Sequence, residues 1–336
     1  MKSAIFHRPG TPLSIETVPD PTPNPNQVVI RVNRCGICGS DLKMTEVGSP
    51  VLYSAGAALG HEYAGEIAAL GKEVQHLAVG ERVTAMPIGG CGHCAACLAE
   101  DPLSCSECRY LMGGFSEYTL AEARYVVKLP GSLSQNDGAL VEPLACGSQA
   151  VRLAQVDPAT RVLVMGAGPL GLAVIYWARR AGCRRIVAAA LSRRNAGIAS
   201  FMGASSFVLQ GDSLKAAALQ HLGSSPDVVF ECAGAPGLIG QAIELVAPRG
   251  TIVSAGMCFA PEHFVSGSAL MKQIRLQFSM GYNMGDFRRS IGALEAGFVE
   301  PRAMLSETIE LAALPQTLEA LRTEKSRCKV MVDPWA

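Results

Sequence analysis

The run from Val162 to Ala173, Val-Leu-Val-Met-Gly-Ala-Gly-Pro-Leu-Gly-Leu-Ala, constrains this chain more than any other stretch. Four apolar residues make a buried strand. Gly166, Gly168 and Gly171 then stand at G-x-G-x-x-G spacing, with Pro169 and Leu170 opening a helix. A lone G-x-G-x-x-G is a weak signal, but a strand before it and a helix after it are the context that a dinucleotide site requires. The glycines let the backbone approach a pyrophosphate, which rests on the helix N-terminus. The pattern beyond agrees. Arg185 to Ala190, Val228 to Glu231 and Gly250 to Ser254 read as further strands separated by helical stretches, a parallel α/β sheet with helices on both faces. Two of these strands end in small residues, Cys232-Ala233-Gly234 and Ala255-Gly256-Met257, where a flat ring can lie against backbone. Ordinary strand-to-helix turns would look the same.

The preceding part differs in character. Val28 to Val32, Tyr63 to Ile67 and Arg82 to Met86 read as short strands, and Pro19 to Asn26, with four prolines and two asparagines, as an extended loop. Many short strands with few helices predict a β-rich, barrel-like domain. The change comes near residue 146, and 147–156 reads as helix. With 336 residues, 49% of them hydrophobic and 17% charged, the chain can fill two cores. Its formal net charge is +0, which gives no field for nucleic acid or an anionic membrane surface. The longest uncharged apolar run, Val162 to Ala178, is short for a membrane span and is broken by glycines. The first residues lack the apolar core of a signal peptide. Twelve cysteines in such a chain favour metal binding over disulfides, and the cytoplasm is the expected compartment.

Cys91, Cys94, Cys97 and Cys105 are spaced C-x2-C-x2-C-x7-C among Gly89, Gly90 and Gly92. Four thiolates at this density suit tetrahedral zinc, and a closed four-cysteine site is structural. The segment is too polar and turn-rich for a core. A nucleic-acid-binding zinc ribbon would need a basic patch, and none is nearby. A second set of donors is scattered: Cys38 beside Ser40 and Asp41, then His61-Glu62 after glycine, then Glu142 before Pro143 in an apolar stretch where an unpaired carboxylate is costly to bury. Asp41 suits either a helix N-cap or a carboxylate holding the distal N–H of a metal-bound His61. Ser40 suits a turn as well as a proton relay.

Together, Cys35-Gly36-Ile37-Cys38-Gly39-Ser40-Asp41, Gly60-His61-Glu62, Glu142-Pro143 and the Gly166–Gly171 turn resemble the zinc-dependent medium-chain dehydrogenase/reductase superfamily, the relatives of alcohol, sorbitol and threonine dehydrogenases. The resemblance spans essentially the whole chain. It implies a GroES-like catalytic domain from 1–146 and 277–336 and a Rossmann domain from 147–276. It further implies a catalytic zinc held by Cys38, His61 and one or both of Glu62 and Glu142, besides the structural zinc, thus two per chain. Alcohol dehydrogenases carry a second cysteine where Glu142 stands; sorbitol and threonine dehydrogenase relatives use glutamate. The zinc would act as a Lewis acid on the substrate oxygen, with Ser40 passing the proton and Lys43 at the place where a histidine often ends the relay. Cys146 would line the ring pocket or pack.

The implied reaction is hydride transfer between a nicotinamide cofactor and an alcohol/carbonyl pair. The family's NAD enzymes usually have an acid where Ala190 stands, and no acid occurs between Arg184 and Gly211, while Ser192, Arg193 and Arg194 follow. This predicts NADP(H) over NAD(H), because the 2′-phosphate meets no repelling carboxylate and finds charged donors. Leu52, Tyr53, Phe115, Phe259 and Tyr282 are candidates for the substrate pocket. Gly281 replaces an arginine of sorbitol dehydrogenases, which favours a less polar alcohol, aldehyde or ketone over a long polyol. Family practice implies a homodimer or homotetramer joined through the nucleotide domain, with Thr251 to Phe259 as the sheet edge. The competing readings are a zinc-free quinone reductase and a non-catalytic dinucleotide-binding redox sensor or structural protein. Both are opposed by the intact cysteine sets.

Overall fold

A computed structural model describes residues 1–50, 53–211, 213–324 and 326–336. Leu52 lies outside the described residues. The chain forms two compact units, Met1–Glu142 with Tyr282–Ala336, and Pro143–Gly281. In chain order the strands of the first unit are β1 (Lys2–Phe6), β2 (Ser14–Thr17), β3 (Gln27–Gly36), β4 (Ala57–Ala58), β5 (Glu62–Leu70), β6 (Arg82–Ala85), β7 (Ile88–Gly89), β8 (Arg109–Tyr110), β9 (Tyr118–Glu122) and β10 (Val126–Lys128). The second unit holds β11 (Arg161–Met165), β12 (Arg185–Ala190), β13 (Ser206–Leu209), β14 (Val228–Glu231), β15 (Thr251–Ser254) and β16 (Arg275–Phe278). The chain then adds β17 (Leu305–Glu310) and β18 (Lys329–Asp333) to the first unit.

The main sheet of the first unit runs β10-β6-β5-β3-β18-β17, with β9 also on β3. Its centre, β3, is ten residues long and almost wholly buried. β5 and β18 flank it antiparallel, and Gly36 faces both Glu62 and Met331 in register. A smaller sheet, β2-β1-β4, and the β7-β8 pair complete the unit. The β-rich reading of this part therefore stands as a GroES-like fold.

The second unit is one parallel sheet, β13-β12-β11-β14-β15-β16, every neighbour parallel. The order reverses direction between β11 and β14, the switch point at which open α/β sheets bind ligands. Its strands read as continuous apolar runs because both faces are covered. Leu163, Val187, Val229 and Ile252 pack on one side against Leu214, Ile239 and Ile243 from the helices α6 (Leu214–Leu222) and α7 (Leu238–Leu245).

Two sequence expectations need correction. The helix expected from about 147 is α3, Gln135–Ala154, which starts well before and carries Pro143 inside it. Pro143 lacks an N–H and crowds the preceding turn; burial of Ala139, Leu140, Val141, Leu144 and Ala145 outweighs that cost. The segment from Thr251 does not form a sheet edge. β15 is bonded on both sides, and the edge is β16. No described helix is long and apolar enough to cross a membrane.

Candidate metal centre and cofactor crevice

Cys38 immediately precedes α1 (Gly39–Met44), and its N–H donates to Asp41 Oδ2 at 2.9 Å. The other oxygen of Asp41 lies 3.4 Å from His61 Nδ1, and His61 Nε2 lies 3.4 Å from Ser40 Oγ. Asp41 thus meets the helix start and the histidine at once. Donor atoms of Cys38, His61 and Glu62 lie within 4.8 Å of one another. Burial pushes the pKa of His61 down, but Asp41 and Cys38 outweigh it and hold the ring well above its ordinary value. A half-buried thiol with a buried imidazole and buried carboxylates that together favour a positive charge is a donor set that zinc suits. Lys43 sits half-buried on the same helix. Glu142, 8% exposed, is not among the donors within that 4.8 Å.

One member of this centre was not legible in the sequence. Lys329, 1% exposed, donates to both oxygens of Glu62 at 2.7 and 2.6 Å and to the carbonyl of Ile37 at 3.0 Å. Burial alone would lower its pKa, yet Glu62, aided by Cys38 and Glu142, lifts it above the ordinary lysine value. Nothing in Arg327-Cys328-Lys329-Val330 marks the lysine, which lies 267 positions from its partner. Its sign in the chain is no more than a cation at the start of a strand whose middle, Val330 to Val332, is apolar.

The four-cysteine loop closes on itself. Cys91 Sγ and Cys97 Sγ are 4.0 Å apart, and all four sulfurs lie within 4.8 Å of one another. The N–H groups of Cys91, Cys94, Cys97 and Glu107 point at sulfurs at 3.3–3.5 Å. Bonds from the backbone at His93 and Cys94 lower the Cys91 pKa to about 6. Four sulfurs already gathered, with backbone N–H groups pointing at them, fit a structural zinc. Cys108 is half-buried beside the group.

In the second unit, α4 (Pro169–Arg180) starts directly after Gly168. Gly166 has φ +101°, and a Cβ there would lie 2.8 Å from Ala233 N; one at Gly171 would lie 1.8 Å from Gly166 O. At Gly168 nothing stands within 4 Å, so the backbone there is open to a ligand. Asn195, which the sequence did not single out, donates from Nδ2 to Ala167 O at 2.7 Å and ties the loop after β12 to the glycine turn. Ser192, Arg193 and Arg194 are exposed on that loop. Beside it a cavity of about 370 Å³ is lined by Leu191, Gln210, Leu214, Lys215 and Gln241. Cys232 is half-buried and Ala233 exposed, and Ala255, Gly256 and Met257 are half-buried at the end of β15. Cys146 is half-buried on α3.

Of the substrate-pocket candidates, Phe115 is core, pressed against Gly60. Tyr282 is 2% exposed and stacked on Phe287. Tyr53 packs edge-on to Phe6, with its oxygen in the field of Asp41, His61 and Cys38. Phe259 is 44% exposed.

Residues 24–131 match the family model of the alcohol dehydrogenase GroES-like domain, and 169–296 match that of the zinc-binding dehydrogenases. The (R,R)-butanediol dehydrogenase of Bacillus subtilis is 30% identical over 350 residues, 99% of this chain and 100% of that protein. The chain belongs to the zinc-dependent medium-chain dehydrogenase/reductase superfamily. Solved relatives agree in fold. A putative zinc-binding dehydrogenase from Sinorhizobium meliloti, bound to NADP, is 28% identical with a TM-score of 0.90 over 99% of both chains. An alcohol dehydrogenase from Escherichia coli CFT073, complexed with NADH, is 26% identical with a TM-score of 0.90 over 99% of both. Membership makes this chain an oxidoreductase of the alcohol or polyol dehydrogenase type.

The Lys329–Glu62 pair generates a prediction. Removing one partner of a buried ion pair strands the other charge. Lys329→Met should therefore cost roughly 3–5 kcal/mol of stability, while Lys329→Met combined with Glu62→Leu should recover most of it. Urea unfolding of the three proteins measures this, and a single variant as stable as the wild type would remove the pair from the account.

Proposed function

We propose that this protein is a zinc-dependent dehydrogenase that transfers hydride between NADP(H) and a small alcohol/carbonyl pair. The observation that carries the reading is the Cys38–His61–Glu62 cluster, half-buried at the cysteine and buried at the other two, with Asp41 behind the histidine. Cys38 and His61 are the direct metal ligands. Glu62 is the carboxylate beside them, its charge balanced by Lys329, and Glu142 is the further acid. The cysteine loop holds the second zinc. When bound, the first zinc supplies Lewis acidity at the substrate oxygen. The chain's own residues do the rest. Asp41 fixes the tautomer of His61. The Ser40 hydroxyl carries the substrate proton away from the buried oxygen, toward Lys43 or water. The glycine turn and the start of α4 seat the pyrophosphate, and small residues after β14 and β15 make room for the nicotinamide.

Both nicotinamide cofactors occur among the neighbours, so the preference is argued from this chain. Ala190 is half-buried at the end of β12, and the exposed Ser192, Arg193 and Arg194 follow it. The cavity beside Leu191 suits the adenosine end, and its wall carries Lys215 and Glu244, so the charge preference rests on Arg193 and Arg194. For the substrate, Gly281 has φ +60°, a conformation that disfavours the arginine of sorbitol dehydrogenases. A compact alcohol or ketone, of the size of the four-carbon diol named for the Bacillus relative, fits better than a long polyol. Twelve cysteines, none of them in a disulfide, suit a reducing compartment such as the cytoplasm.

Assembly is proposed through β16. Its strand edge is unpaired within the sheet, and Leu270, Met271, Phe278 and Met280 beside it are 61–83% exposed. A second copy of the chain pairing along that edge would cover them.

Three measurements test these readings. Elemental analysis of the wild type should give about two zinc per chain; Cys38→Ser should keep about one with its fold intact and lose turnover, whereas Cys97→Ser should lose stability. Full turnover by Cys38→Ser would overturn the assignment of the reactive site. Next, kcat/KM should favour NADP(H) in the wild type, and Arg193→Ala with Arg194→Ala should shift the ratio toward NAD(H). A wild type favouring NAD(H), or an unchanged ratio in the double variant, contradicts the cofactor choice. Finally, light scattering at micromolar protein should give a dimer or tetramer that Phe278→Glu dissociates, and a monomeric wild type would sink the edge contact.

A further inference from the structure

Glu231 belongs to neither metal set, yet it is 2% exposed at the carboxyl end of a central strand. Its register partners are Met165 on β11 and Ser254 on β15, so it stands at the switch point itself. Its main-chain carbonyl accepts the N–H groups of Ala255 and Gly256 at 2.8 and 2.9 Å. Its side-chain Oε1 accepts those of Ala233 and Gly234, both at 2.7 Å. Its Oε2 is turned toward Gly256, where a Cβ would lie 2.7 Å from that oxygen and 2.2 Å from Gly234 N. One residue therefore grips the chain leaving β14 and the chain leaving β15. The turn it grips is also the one packed on Gly166.

Two successive N–H groups converging at a strand end form a concavity of the kind that binds anions. On the reading given above, the glycine turn after β11 offers its amides to the cofactor's pyrophosphate. The adjacent turn after β14 has the same capacity, but the anion in it is the chain's own carboxylate. We propose that Glu231 is a positioning residue of the cofactor crevice: its carboxylate occupies the amide nest of Ala233 and Gly234, fixes that turn against Gly166, and leaves the pyrophosphate a single cradle. The inference rests on the dinucleotide reading and adds a residue that neither the glycine motif nor the metal donors point to. It also accounts for the residue type. A hydrophobic side chain would leave two strand-end amides without their acceptor, and a lysine or arginine has no acceptor to give them.

The test is NADPH and NADP⁺ binding to the zinc-loaded protein, followed by fluorescence and calorimetry. Glu231→Ala should weaken both by roughly tenfold or more, the equivalent of one charge-assisted hydrogen bond lost from the crevice wall. Glu231→Gln, which keeps an oxygen able to accept both amides, should recover most of that loss. Added formate should strengthen cofactor binding to Glu231→Ala and leave the wild type unaffected, since a small carboxylate can refill the nest. A merely structural role would be answered by neither formate nor glutamine. Wild-type affinity in Glu231→Ala, glutamine as weak as alanine, or no response to formate overturns the proposal. Should Glu231→Ala fail to fold, Glu231→Gln decides: near wild-type binding supports the acceptor role, and a tenfold loss refutes it. A wild type that binds neither cofactor form sinks the dinucleotide reading itself, an outcome distinct from an indifferent Glu231→Ala in a protein that binds.

Discussion

Lys329 reaches across β3 to Glu62, and the metal donors are arranged around that reach. β5 and β18 lie on opposite sides of β3, and Gly36 stands between them in register. A Cβ at Gly36 would lie 2.1 Å from Glu62 Oε2, so the carboxylate can occupy the space between the strands only because that residue is glycine. The pair is not retained for stability alone. Desolvating a lysine and a glutamate costs several kcal/mol per ion, and their attraction at best offsets it. What the pair supplies is placement. It puts a fixed carboxylate next to Cys38 and His61, and it neutralises one negative charge in a cluster that would otherwise carry a thiolate and two acids. It also makes the last strand of the chain a condition of the site, which is why the first unit needs its C-terminal return.

Much of this was readable from the chain and some was not, for identifiable reasons. The parallel sheet was legible because strands buried on both faces leave continuous apolar runs, and the glycine turn was legible as the link between β11 and α4. The candidate donors Cys38, His61 and Glu62, which the fold gathers within 4.8 Å, stood out by residue type and by their glycine-bounded surroundings, while Glu142, named with them, is not in that group. The early start of α3 left no helical period to read, because every residue from Ala139 to Ala145 is buried, on all sides of the helix. The sheet edge was misplaced because an uncharged strand reads alike whether it is central or terminal; only pairing on both sides distinguishes β15 from β16. Lys329, Asn195 and Glu231 were missed for a shared reason. Each acts on a segment far away or on backbone atoms, and backbone partners leave no mark in a sequence.

The buried acids differ in how completely they are answered, and the difference separates scaffold from chemistry. Asp137 receives two bonds from Arg302, at 2.7 and 3.0 Å, and two more from Ser134; burial pushes its pKa up, and these partners bring it below the ordinary value. Such an acid is locked and serves the start of α3. Glu231 is answered by backbone amides and shapes a turn. Asp41 is different. One oxygen is committed to Cys38 N at 2.9 Å, but the other stands 3.4 Å from His61 Nδ1, beyond a good hydrogen bond. A histidine drawn toward the cationic state by that half-answered acid and a neighbouring thiol is electrostatically incomplete. A divalent cation held at the other ring nitrogen would complete it, supplying the positive charge that Asp41 faces. That incompleteness is what supports the proposal of a metal at Cys38, His61 and Glu62, whereas the candidacy of the four-cysteine loop rests on the closeness of its sulfurs.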